Sequence, residues 1–129
     1  MMQRLFLVAD QEARMSFDGA RLRRIIQGLK GVTGWREGVD SVDPEGTLFE
    51  CELETGDPRN IRVPIEVTTD LRSASVGAFH EDGLKAALEI QRHYGSEIFA
   101  FSEEAQPLMV PLSKVNSPDE LAALLKLRE

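Results

Sequence analysis

Thr47-Leu48-Phe49-Glu50-Cys51-Glu52-Leu53-Glu54 and Ile61-Arg62-Val63-Pro64-Ile65-Glu66-Val67 decide the fold. In the first run Phe49, Cys51 and Leu53 alternate with glutamates. In the second, Ile61, Val63, Ile65 and Val67 alternate with Arg62, Pro64 and Glu66. A period of two sends successive side chains to opposite faces of a strand. Two such runs around the polar stretch Gly56-Asp57-Pro58-Arg59-Asn60 predict a β-hairpin with one buried face and one wet face. Pro64 has no N–H for a ladder, so the second strand is expected to be paired on one side only near that point.

Working outward, Leu5-Phe6-Leu7-Val8 is a continuous apolar run and predicts a strand over 4–9, buried on both faces. A helix is expected over 17–29, capped by Ser16, with Leu22, Ile25, Ile26 and Leu29 on one side and Gly31 as its stop. Val32, Trp35, Val39 and Val42 are interrupted by Gly34 and Gly38, which suggests a bulged strand before a turn at Pro44-Glu45-Gly46. Beyond the hairpin, Ala74, Val76 and Ala78 alternate over 73–78. A second helix is predicted over 81–94, with Glu81 and Asp82 in its first turn, Arg92 and His93 in its last and Gly95 after it. Ile98-Phe99-Ala100-Phe101 and Leu108-Met109-Val110-Pro111-Leu112 suggest a second hairpin around a turn at 102–106. Ser117-Pro118-Asp119-Glu120 then opens a capped helix with Leu121, Leu124 and Leu125 as its apolar stripe.

Three helices are too few for a doubly wound parallel sheet. The expected fold is α+β: a single antiparallel or mixed sheet of five to seven strands, with three helices mostly on one face. The 129 residues suit one domain, 1–129, and the 42% hydrophobic and 29% charged residues are ordinary globular usage. Twenty-two acidic against 15 basic residues leave a net charge of -7. That balance opposes binding to nucleic acid or anionic lipid and suits a basic partner. The apolar run near the N-terminus, Leu5 to Ala9, is too short for a signal peptide, and no run approaches a membrane span. With the lone Cys51, this reads as a cytoplasmic, reduced, soluble protein.

Few residues point to chemistry. Glu50, Glu52 and Glu54 share one strand face at about 7 Å spacing. A solvated face accounts for that row better than a metal site, which draws ligands from separate elements. Arg59 and Arg62 are expected across the hairpin, offsetting the repulsion. His80 and His93 bracket one helix about 20 Å apart, too far to share an ion. His93 suits a helix C-terminus, whereas His80, at a strand–helix junction, has no marked catalytic partner. Cys51 lies on the apolar side of its strand between two glutamates and is expected to be an inert core thiol. Gly-x-Ser-x-Gly and phosphate-loop patterns are absent. Arg14, Arg21, Arg23 and Arg24 form a local basic patch without interleaved exposed aromatics, which with the acidic whole-chain charge makes a phosphate contact a weak reading. No catalytic residue, metal ligand or cofactor is assigned.

Gly83-Leu84-Lys85-Ala86-Ala87-Leu88-Glu89-Ile90-Gln91, then Tyr94-Gly95, then Ile98-Phe99-Ala100-Phe101 and a capped terminal helix resemble the small bacterial α+β immunity proteins of polymorphic toxin systems, over about the last third of the chain. The resemblance implies a cytoplasmic, non-enzymatic binder that neutralises a toxin domain by occluding it. No site residue transfers with it. The acidic surplus agrees with a basic partner. The candidate partner-binding residues are Trp35, as an anchor unless it is an ordinary core residue, with Glu37, Asp40, Asp43 and Glu45 on the irregular segment and Glu50, Glu52 and Glu54 on the strand. Two other classes stay open: a small-molecule-binding or enzymatic domain around His80, Trp35 and the strand glutamates, and a self-associating subunit, possible as a homodimer.

Overall fold

The structure, a computed structural model, describes residues 4–10, 14–38, 46–78, 80–102 and 109–125. In chain order the elements are β1 (Arg4–Val8), α1 (Gly19–Gln27), β2 (Val32–Glu37), β3 (Thr47–Glu54), β4 (Arg62–Thr68), β5 (Ser73–Gly77), α2 (Glu81–Tyr94), β6 (Phe99–Ser102), β7 (Val110–Pro111), a 3-10 turn at Leu112–Lys114 and α3 (Pro118–Leu125). The strands form one antiparallel sheet in the order β2-β3-β4-β5-β1-β6-β7. The N-terminal strand thus lies between β5 and β6. The α+β class, the three helices and the antiparallel sheet match the expectation.

Alternation positions the core. Leu53, Cys51 and Phe49 stand opposite Val63, Ile65 and Val67, and the last two continue to Val76 and Ala74, then to Leu5 and Leu7. All are buried on one face, in one cluster with Leu22 and Ile26 of α1, Leu84, Ala87 and Ile90 of α2, and Leu121 and Leu125 of α3. The helices therefore share that face, and α2 packs between α1 and α3. Each Val, Leu, Ile or Phe among them contributes roughly 1.5–3 kcal/mol of transfer free energy, and the alanines less. Pro64 pairs with Glu52 in β3, while the β4–β5 ladder starts only at Ile65, as its missing N–H requires.

Local chemistry sets the ends of α2. His80 caps it, Glu81 and Asp82 occupy its first turn, and Gly95 closes it at φ +87°, a left-handed conformation that favours glycine. Gly83 lies so close to β5 that a Cβ there would fall 1.8 Å from the Gly77 carbonyl oxygen. The helix start is thus pressed onto the end of the sheet.

Several boundaries differ from the sequence reading. Asp18, not Ser16, caps α1 by accepting the Arg21 N–H at 3.1 Å, and Gly28 ends it. Phe17 stays outside the helix because it is buried edge-on against Tyr94, with its N–H donated to the Leu71 carbonyl at 2.7 Å. The two-sided burial expected of β1 is partial: Val8 is 1% exposed, whereas Phe6 on the same face is only partly covered, as are Phe99 and Phe101 of β6. Leu124 is 42% exposed, since α3 turns Leu121 and Leu125 into the core and packs Ala122 against it. Most of the turns expected at 44–46 and 102–106 lies outside the described residues.

Candidate functional site

The second face of the sheet carries no described helix. Its register assembles one row across six strands: Arg36, Glu50, Glu66, Ser75, Phe6, Phe101. A parallel row holds Ser73, Val8, Phe99 and Pro111. Carboxylates thus gather over β3 and β4, and aromatic rings over β1 and β6. Phe6 and Phe101 stack with centroids 5.3 Å apart and planes 21° apart. Both ends of the face follow from period-two alternation; only the register joins them.

At the acidic end Glu50 lies directly opposite Glu66. Arg36 reaches Glu50 at 3.0 Å, and Arg62 stands 3.7 Å from Glu52 and 3.8 Å from Glu54. The Thr47 hydroxyl donates to Glu66 at 2.7 Å. Four carboxylates face two guanidiniums, all partly or fully exposed, so the patch stays net negative. A cleft of about 320 Å³ opens among Arg36, Glu50, Glu52, Pro64 and Glu66. Arg59 does not join this patch as expected. It turns back to Asp57, which accepts from its backbone N–H and from its guanidinium. Those bonds hold the Asp57 carboxyl down to about 2.

Trp35 borders this cleft, but its ring and Glu37 turn toward α1. A register shift between Thr33 and Arg36 turns Trp35 to the helical side, where it stacks on buried Phe49 at 4.8 Å. Its indole N–H donates to Glu37, which also accepts from Arg23 of α1. Both bonds, Arg23 first, hold the Glu37 carboxyl below its ordinary range. Arg23 in turn covers the Phe49 ring at 4.6 Å. Trp35 therefore closes the rim of the core while also lining the edge of the cleft that holds Glu50, Glu52 and Glu66, and Glu37 is not among that cleft's lining residues. Asp40, Asp43 and Glu45 lie outside the described residues.

The remaining candidates have structural partners. Cys51 is buried, and burial, with Glu52 and Glu50 beside it, pushes its thiol up to about 11. Arg21 lies over Tyr94 and donates to its carbonyl, so the arginines of α1 are dispersed rather than pooled. His93 lies 3.3 Å from Glu89, one turn back on α2. Among the described residues no group of three His, Cys, Asp or Glu side chains is arranged to hold a metal ion, and no helix is long and apolar enough to cross a membrane.

Glu66 was legible as a site residue, since it alternates with Val63, Ile65 and Val67 just as Glu50 alternates with its neighbours. Phe6 and Phe101 were not. Each lies in a continuous apolar run, and nothing in either run says that its phenylalanine faces away from the helices. Comparison with known proteins finds no family model, no curated protein and no solved structure that matches this chain.

Proposed function

We propose that the protein is a non-enzymatic binding domain whose open sheet face receives a protein partner with a basic surface and apolar side chains beside it. The row from Arg36 and Glu50 to Phe6 and Phe101 carries this reading. Water alone suits the serines and glutamates of such a face. It does not suit a stacked phenylalanine pair or two glutamates set opposite each other, and a cationic, partly apolar partner relieves both. The basic cleft of a toxin domain, the partner expected from the sequence resemblance, has this chemistry. The lone buried thiol suits a reducing compartment, and we propose the cytoplasm.

The test is parallel capture from the native cells with the full chain and with Glu50→Gln/Glu52→Gln/Glu66→Gln. Recovery of one basic protein by the parent chain, and its loss by the variant, supports the reading. Equal capture by both chains, an acidic partner, or a dimer of this chain as the sole complex overturns it.

A further inference from the structure

His80 joins the tip of the acidic hairpin to the first turn of α2, and its two ring nitrogens face groups with opposite demands. Nδ1 accepts the backbone N–H of Asp82 at 3.1 Å, which makes the imidazole the N-cap of α2. A ring nitrogen accepts only while it carries no proton, so this cap exists only on the neutral ring with its proton on Nε2. Nε2 stands 3.7 Å from Oδ2 of Asp57, in the β3–β4 loop, and Nδ1 stands 3.9 Å from Oδ2 of Asp82. The His80 side chain is 21% exposed and that of Asp57 16%. The hairpin tip also brings Arg59, bound to Asp57, and α2 brings Glu81 and Lys85, the latter 3.9 Å from Asp82. One residue into the helix, Gly83 lies against Gly77 of β5 and Val63 of β4, neither of which titrates.

We propose that His80 is a proton-operated latch: neutral, it caps α2; protonated, it releases the helix and clamps Asp57 to Asp82. A proton taken from solvent turns Nδ1 from an acceptor into a donor. It then cannot face the Asp82 N–H and turns instead to the Asp82 carboxylate, already within 3.9 Å. Nε2–H meanwhile carries full charge toward Asp57. One proton thus loosens the first turn of α2 and tightens the hairpin tip against it. The latch stands apart from the open sheet face and does not depend on the binding role proposed for that face.

The experiment is an NMR pH series on the full chain, reading the ring nitrogens of His80 together with the Asp82 amide and its exchange protection. The neutral ring should show a bare Nδ1. The Asp82 amide should move with the ring's own titration, and its protection factor should drop about fivefold once the ring is charged, the size of a lost cap. His80→Asn caps without titrating and should keep the amide protected throughout, while His80→Ala should show low protection at every pH. A proton on Nδ1 of the neutral ring, an Asp82 amide indifferent to the ring's titration, or the parent response surviving in His80→Asn would overturn the proposal.

Discussion

Glu50 stands directly across the β3–β4 ladder from Glu66, carboxylate against carboxylate, on the sheet face that no described helix covers. Like charges in that position destabilise a sheet. Arg36 offsets one of them and the Thr47 hydroxyl the other, without removing the pairing. Glu66→Gln keeps an oxygen for Thr47 and deletes the repulsion. It should raise stability by about 0.2–1 kcal/mol in a denaturant melt. A loss of stability would show that the pair is structural.

Register is the next point of attack. Val63 is fully buried opposite Leu53, whereas Glu52 is about half exposed beside Arg62. Val63→Asp should cost several kcal/mol, because it buries a charge without a partner. Glu52→Gln should stay within about 0.5 kcal/mol of the parent. Similar melts for the two variants would refute the assignment of faces.

Trp35 covers Phe49 and is held by Glu37, which also binds Arg23. Trp35→Ala strips this rim and should lower stability by about 2 kcal/mol, less than for a fully buried tryptophan. Unchanged stability together with faster release of a captured partner would instead make Trp35 an interface anchor.

Asp57 and Cys51 contribute to opposite limbs of the stability profile, and Glu37 and Asp70, also lowered, add to the acid one. Asp57 is held from 3.8 down to about 2, so its contacts with Arg59 contribute fully above pH 4 and are lost as pH falls toward 2. Asp57→Asn should flatten the acid limb in that window. Cys51 is raised from 9.0 to about 11, so unfolding is favoured progressively as pH rises from 9 to 11. Cys51→Ala should flatten the alkaline limb, at some cost in packing. A thiol reagent at neutral pH should react with Cys51 only on unfolding; fast reaction with the folded chain would contradict its burial.

The hairpin and α2 were legible because each level of their sequence agrees: alternation with turn residues in one, acidic start, basic end and terminal glycine in the other. The start of α1 was misread because Ser16 and Asp18 are both good caps, and the burial of Phe17 against Tyr94, 77 residues away, decides between them. Strand order was not legible at all. That β1 enters between β5 and β6 depends on long-range pairing, and so does the stack of Phe6 on Phe101. The acidic half of the candidate site was therefore readable from β3 and β4 alone, and the aromatic half was not. Trp35 escaped because one extra residue in the bulge turns its side chain to the other face.

Association kinetics with the captured partner, measured at about 50 and 200 mM salt, test the binding face most directly. The parent chain should associate several-fold more slowly at the higher salt, as long-range attraction is screened. Glu50→Gln/Glu52→Gln/Glu66→Gln should associate slowly at both and lose most of that dependence, while Phe101→Ser should chiefly speed dissociation. Association indifferent to salt in the parent, or kinetics unchanged in both variants, would contradict the account.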